Sequence, residues 1–369
     1  MTRSIRFAVV GLGHFAQAAI LPAIHRQRGA TISALVSGTP EKLDELGSRY
    51  GVTRLCDYSQ YEELLASGEI DAVYIALPND MHADAAVRAA NNGVHVLCEK
   101  PMAPTSEECK AMVEASQREN VRLMIAYRLH FQSANLHVVD LIQRGTIGAP
   151  KVFSSVFSYQ VKEGNTRVED RAGAGPLYDI GIYCINAARY VFRDEPIGVH
   201  AHRIVNSDDE RFKSVEEGVA VSLRFKGGRV ANFVCSYNAA DRSYYEVVGS
   251  DGVLEVENAY EYTTPMAVTL VKNGKRKRRS FRKSDQIAAE VQYFVRCIRN
   301  EIEPEPSGME GLADIHIIEA IQEAVKTNQY VAITPLAGIE DEQHPSPEQE
   351  ITRPAHGQPK LVGVESATR

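Results

Sequence analysis

A lysine directly after an apolar strand is well placed for chemistry on oxygen. Glu99-Lys100-Pro101 follows Val94–Cys98 (VHVLC), which reads as a buried strand. In open α/β sheets, ligands sit outside the carboxyl ends of the strands. An ammonium group there can donate to a hydroxyl or a carbonyl, and desolvation moves its pKa toward neutrality. Taken alone, Lys100 equally fits a solvent-exposed lysine. A second constellation follows the flexible Gly173-Ala174-Gly175-Pro176 stretch: Asp179, Tyr183 and Asn186. On an α-helix the offsets i, i+4 and i+7 put carboxylate, phenol and amide on one face. Apolar Leu177, Ile180 and Ile182 flank them, so the stripe fits a wall facing a pocket or a polar outer face. Arg128 and His130 suit a substrate contact, and suit a surface arginine and a packed histidine as well.

Gly11-Leu12-Gly13-His14-Phe15-Ala16 supplies a different chemistry. It follows the strand IRFAVV and opens a helix, the context in which G-x-G-x-x-A holds a dinucleotide. Gly11 permits a tight turn, Gly13 lets the backbone approach a pyrophosphate, and Ala16 lets helix and strand pack closely. The helix N-terminus, with His14 and Phe15, faces the phosphates. The tip of the second strand reads Val36-Ser37-Gly38-Thr39-Pro40-Glu41-Lys42. An acid there would bind the ribose 2′-hydroxyl and repel a 2′-phosphate. None is present at the tip. Ser37, Gly38, Thr39 and Lys42 suit a phosphate, which favours NADP and leaves NAD as the alternative. Ser37 and Thr39 also fit plain turn and cap residues. Leu77, Pro78, Asn79 and His82, just after another strand, are expected on the nicotinamide side, with Glu99 and Lys100 at the same rim.

The elements that carry these residues alternate strand and helix. Strands are predicted at 5–10, 31–36, 53–56, 71–77, 94–98 and 121–126, with helices between them. Such alternation implies a doubly wound parallel sheet, a Rossmann domain over 1–126. Beyond it the rhythm changes. Helices at 131–144 and 179–192 flank a strand at 150–161, and six alternating runs follow between 197 and 271. Lys226-Gly227-Gly228, Ser250-Asp251-Gly252 and Asn273-Gly274 punctuate them as hairpin turns. Two more helices are predicted at 285–300 and 308–328. A large, mainly antiparallel sheet with helices on one face, an α+β domain over 127–335, accounts for this pattern. The tail 336–369 is rich in Pro, Glu, Gln and Ser, and is expected to be disordered or ordered only on a partner subunit.

Composition narrows the function. The chain has 369 residues, a net charge of −7 and ordinary apolar and charged fractions of 44% and 24%. That balance argues against a nucleic-acid partner. The basic run from Lys272 to Lys283 reads as a solvated hairpin or loop. No apolar run approaches the ~20 residues that span a membrane. The six cysteines show no metal-ligand spacing, so no metal is expected, and they suit a reducing compartment. With no signal peptide ahead of the first strand, the cytoplasm is the expected location.

In order along the chain, the Gly11/Gly13 turn, Glu99-Lys100-Pro101 and Gly173-x-Gly175-x-Leu177-x-Asp179-x-Gly181-x-Tyr183 resemble the glucose–fructose oxidoreductase / inositol dehydrogenase / MocA family. Tyr127-Arg128-Leu129-His130-Phe131 and Asp179–Asn186 resemble the glucose–fructose oxidoreductase branch in particular. The resemblance covers residues 5–330. It implies that Lys100 orients and polarises the reacting oxygen of a sugar. It also implies that Tyr183 stands where many relatives have a histidine and carries the proton, with Asp179 positioning the substrate or tuning Tyr183. Arg128 joins Lys100, Asp179 and Tyr183 as a substrate contact. A cis Lys100-Pro101 bond and a homodimer or homotetramer formed through the second sheet are implied too. The expected reaction is hydride transfer between a nicotinamide and a sugar hydroxyl carbon. A phenol ordinarily titrates at ~10, so a base near neutrality needs a cation such as Lys100 beside it. Two other functions fit the same residues: a non-catalytic dinucleotide sensor, and a glycosidase that oxidises its sugar transiently.

Overall fold

A computed structural model describes residues 3–205, 208–339, 344–346, 355 and 357–365. The chain divides into two compact units. Among the described residues, the first holds 3–128, 284–312, 355 and 357–365, and the second holds 129–283 (without 206–207), 313–339 and 344–346.

The first unit carries six parallel strands: β1 Ile5–Val10, β2 Ala30–Val36, β3 Arg54–Cys56, β4 Ala72–Ile75, β5 His95–Cys98 and β6 Leu123–Ile125. Their order is β3-β2-β1-β4-β5-β6, a doubly wound Rossmann sheet with its switch point between β1 and β4. β1 and β4 are almost wholly buried, as continuous apolar runs covered on both faces must be. Local sequence marks two of the helix starts. Thr105 and Glu108 form a reciprocal capping box at the head of Ser106–Arg118, and Pro40 opens Pro40–Tyr50.

This unit reaches further along the chain than the strand–helix alternation reaches. The helix Gln286–Asn300 belongs to it, with Phe294 against Phe7 at 6.4 Å and the Gln27 amide donating to the Ala288 carbonyl. Amphipathic spacing identifies such a helix but not the sheet it covers. The tail also departs from expectation. Residues 357–365 lie along the first unit of the same chain. The buried Gln17 carboxamide donates to the Val362 carbonyl (2.9 Å) and accepts from the Val362 amide (2.7 Å). The rest of the expected tail falls largely outside the described residues.

The second unit is built on nine strands: β7 Pro150–Gln160, β8 Pro196–Ile204, β9 Gly218–Phe225, β10 Val230–Ser236, β11 Asn238–Gly249, β12 Val253–Glu257, β13 Met266–Lys272, β14 Lys275–Phe281 and β15 Val331–Ala332. The order is β14-β13-β12-β11-β7-β10-β9-β8-β15, antiparallel except for the pairing of β7 with β10. The punctuating turns are hairpins. Asn273 and Gly274 both have positive φ (52° and 70°), as a two-residue turn matched to strand twist requires. The basic run forms the second strand of that hairpin, β14, at the sheet edge. There Arg276 and Arg278 pair with Glu255 and Glu257, and charge along an edge discourages further strand pairing.

Among the described residues no helix is long and apolar enough to cross a membrane.

Candidate active site

The parallel strands of the first unit end on one line. Val36, Val10, Ile75, Cys98 and Ile125 are partners in register across β2, β1, β4, β5 and β6. The residues that follow form a rim: Ser37, Gly11, Ala76, Glu99 and Ala126. Gly11 sits at the switch point with φ +94°, and a Cβ there would lie 2.4 Å from the Ala76 carbonyl oxygen. The turn therefore tolerates only glycine. Nothing lies within 4 Å of a Cβ placed on Gly13, so a pyrophosphate can approach its backbone. His14 and Phe15 are partly exposed just beyond it. The helix that follows begins as a π-helical turn, Ala16–Ile20, a feature that often accompanies functional sites. These residues fit a dinucleotide.

On the β2 side, Ser37 is buried and its hydroxyl accepts from the Thr39 amide, the work of a turn residue. Thr39 heads its helix without a side-chain capping bond, and Thr39 and Lys42 are partly exposed. Gly38 is exposed against Tyr58. On the β4 side, Leu77, Pro78 and Asn79 are accessible, but His82 is not. Its ring is wholly buried, with Nδ1 2.9 Å from the Pro101 carbonyl and Nε2 2.9 Å from the Leu77 carbonyl. Burial lowers its pKa against the pull of these carbonyls. His82 thus braces the loops after β4 and β5 to each other and shows no ring face to a ligand, a correction to the sequence expectation.

Lys100 is partly exposed at the rim, and the Lys100-Pro101 bond is cis. Glu99 beside it accepts from the Tyr74 phenol at 2.9 Å. Glu290, from the helix Gln286–Asn300, meets the same phenol at 3.1 Å. Burial raises the pKa of both carboxyls, most strongly that of Glu290, which the Glu99 charge raises further. Arg128 is 7% exposed, and its Nη1 donates to Gln286 Oε1 at 2.7 Å. The structure therefore places Arg128 inside the first unit, where its charge favours ionised Glu99 and Glu290, and not as a surface arginine.

In the second unit the expected helical stripe is broken. Leu177–Gly181 is a π-helix, and α-helix begins only at Ile182. A π turn adds a residue to the repeat between Asp179 and Tyr183, while Tyr183 and Asn186 both lie in the regular α-helix that follows. Asp179 Oδ2 accepts from Tyr159 (2.8 Å), Tyr237 (2.9 Å) and Arg167 Nε (2.8 Å). Burial and the Asp179 charge push the Tyr159 and Tyr237 phenols well up, which fixes them as donors. Tyr183 is partly exposed and packs its ring on Phe157 (5.7 Å) and Tyr260 (5.9 Å). Tyr159 and Phe157 lie two residues apart on β7, so Asp179 and Tyr183 stand over one face of that strand. Asn186 is 4% exposed and turned elsewhere. It takes the His130 ring at 2.7 Å and donates to Asp314, which also binds Arg189. His130 and Asn186 therefore belong to a buried polar network.

Tyr159, Arg167 and Tyr237 were not singled out from sequence, since nothing in their spacing ties them to Asp179. Glu290 did leave a signal. It sits at i+3 in the apolar series Ile287, Val291, Phe294, where an acid needs a reason.

Comparison with known proteins agrees with this geometry. A family model described as "Oxidoreductase family, NAD-binding Rossmann fold" matches residues 5–127, and one for the GFO/IDH/MocA C-terminal domain matches 135–255. The D-xylose 1-dehydrogenase [NADP(+)] of Haloarcula marismortui is 32% identical, covering 89% of this chain and 93% of its own. The dTDP-3,4-didehydro-2,6-dideoxy-alpha-D-glucose 3-reductase of Saccharopolyspora spinosa is 30% identical, covering 88% and 98%. Among solved structures, aldose-aldose oxidoreductase from Caulobacter crescentus, complexed with glycerol, superposes with a TM-score of 0.85. It is 34% identical, with 89% of this chain and 100% of that chain covered.

Proposed function

The chain belongs to the Gfo/Idh/MocA oxidoreductase family, and from that premise we propose that it transfers a hydride between NADP(H) and a hydroxyl-bearing carbon of a sugar. The observation that carries this reading is the rim in register at the ends of β2, β1, β4 and β5. It puts on one line the tip of β2, whose last residues carry no acid, the Gly11–Gly13 turn and Glu99-Lys100. Gly11, Gly13, His14 and Phe15 hold the pyrophosphate, and Gly38, Thr39 and Lys42 take the 2′-phosphate, with Ser37 shaping their turn. Leu77, Pro78 and Asn79 flank the nicotinamide, and Glu99 and Lys100 complete the rim.

Bound nicotinamide supplies the hydride donor or acceptor at its C4 carbon. Lys100 orients the substrate oxygen and stabilises the negative charge that grows on it as its proton leaves. Tyr183 takes that proton, and returns it in the reverse direction. Asp179, held by three donors on one oxygen, keeps a fixed carboxylate for the sugar hydroxyls. Such proton transfer contributes about 10²–10⁴-fold. The protein is proposed to assemble as a homodimer or homotetramer through the nine-stranded sheet, to reside in the cytoplasm and to need no metal. The relatives named for D-xylose and for aldoses put aldoses at the head of the substrate panel.

The test mixes stoichiometric protein with NADP⁺, then NAD⁺, against aldoses and cyclitols, and follows reduced-nicotinamide absorbance. A burst with NADP⁺ and one sugar class is expected. A silent panel with both cofactors overturns the reading and favours a sensor or a glycosidase. Tyr183→Phe should slow turnover about 10²-fold or more with cofactor binding kept, and comparable turnover would remove Tyr183 from the mechanism.

A further inference from the structure

The hydrogen bonds around Tyr74 need one more proton than a phenol can give. Glu99 Oε1 lies 2.9 Å from the phenol oxygen and Glu290 Oε1 lies 3.1 Å from it. Tyr74 has a single O–H, which serves one of these two acceptors. The other contact is a hydrogen bond only if its proton comes from the carboxyl. The surroundings decide which carboxyl that is. Glu290 is 0% exposed, and its Oε2 has no hydrogen-bond partner. Ionised, it would bury a charge with one oxygen bare, an arrangement proteins avoid. Glu99 is partly exposed and accepts from the Lys100 main-chain amide, and the Lys100 charge favours its ionised form.

We propose that Glu290 is held as a neutral carboxylic acid that donates to Tyr74, so that Tyr74 donates to Glu99 and the two glutamates together carry one negative charge beside Lys100. Glu290 is then a positioning residue. Its donation to the Tyr74 oxygen turns the single Tyr74 proton toward Glu99 and so fixes the Glu99 carboxylate beside Lys100. A second carboxylate there would hold the ammonium back from the substrate oxygen. The charged groups facing the pair are Lys100 after β5, Arg128 after β6 and Asp285 at the head of the Glu290 helix. Arg128 donates to Gln286 of that helix. The consequence for catalysis rests on the assignment of Lys100 above. The protonation state itself does not.

Infrared difference spectroscopy on the full chain tests the two parts separately. Wild type minus Glu290→Gln, at about pH 8 where ordinary glutamates are ionised, should show the C=O stretch of a protonated carboxyl. Loss of carboxylate bands alone overturns the proposal. Wild type minus Tyr74→Phe should show the same acid band shifted, which gives a second route if Glu290→Gln does not fold. Neither measurement needs turnover, so a silent sugar panel leaves them standing. In an active protein, Glu290→Leu, which fills the space without a donor, should lower kcat about tenfold, and Glu290→Gln should restore it to within about threefold. Equal rates for Leu and Gln overturn the positioning role.

Discussion

Asp179 and Glu290 are carboxyl groups held inside their respective units, and they differ in what faces them. Asp179 accepts from two phenols and a guanidinium on a single oxygen. Glu290 meets one phenol, already in contact with another carboxyl, and leaves Oε2 without a partner. The number of donors, more than burial itself, decides whether a carboxyl can stay charged. The first arrangement answers a negative charge with three donors. The second provides a neutral acid that disciplines a neighbouring charge.

Asp179→Asn breaks this contrast most severely. It removes the charge that Arg167 answers and leaves two phenols competing for a neutral amide. Turnover should fall at least 10²-fold, and urea denaturation should show a loss of about 1–3 kcal/mol. Stability equal to wild type would mean that the three donors find other acceptors.

The Glu290 side is sharpened by pH. Its folded pKa is raised, so between the ordinary glutamate value and the folded value the native state holds a proton that the unfolded chain lacks. Stability therefore falls as pH rises through that window, by at most about 1.4 kcal/mol per pH unit. Glu290→Gln should remove that slope. A wild type and variant that run parallel across neutral pH would place the Glu290 proton elsewhere.

His95 offers a control of opposite sign. Burial, aided by Arg122, lowers its pKa to about 4, and its Nδ1 accepts the Arg122 amide at 2.9 Å. The unfolded chain binds the proton first, so stability is lost as pH falls from the ordinary histidine range toward about 4. His95→Gln should flatten this acid-side loss while leaving the alkaline slope of Glu290 intact.

The smallest effect concerns the tail. Truncation after residue 356 strips the Gln17 carboxamide of both its Val362 partners. A loss of about 1–2 kcal/mol in thermal or urea unfolding is expected, and Gln17→Leu in the truncated chain should recover part of it.

Both chemical stretches begin with π-helical turns, Ala16–Ile20 and Leu177–Gly181, yet they were unequally legible. The first is a backbone feature, and glycine spacing announces a backbone turn directly. The second is a matter of side-chain direction, and helical spacing does not show that Asp179 and Tyr183 stand over β7 while Asn186 turns away. Asn186, grouped with the pocket by spacing, is buried on Asp314 and His130. Arg128, expected at the substrate, and His82, expected on the nicotinamide side, are both buried.

From the sequence alone came what local chemistry encodes: the strand–helix rhythm of the first unit, the Gly11 turn, the hairpin at Asn273-Gly274, and Lys100 at a strand end. Tertiary structure alone decided which distant side chains meet. Tyr74 and Glu290 are 216 residues apart, and Tyr237 lies 58 residues from Asp179. A carboxyl's charge depends on donors within about 3 Å. Sequence periodicity reports which face of an element is apolar but not what that face meets, so the donors around these two acids were visible only in the assembled sheets.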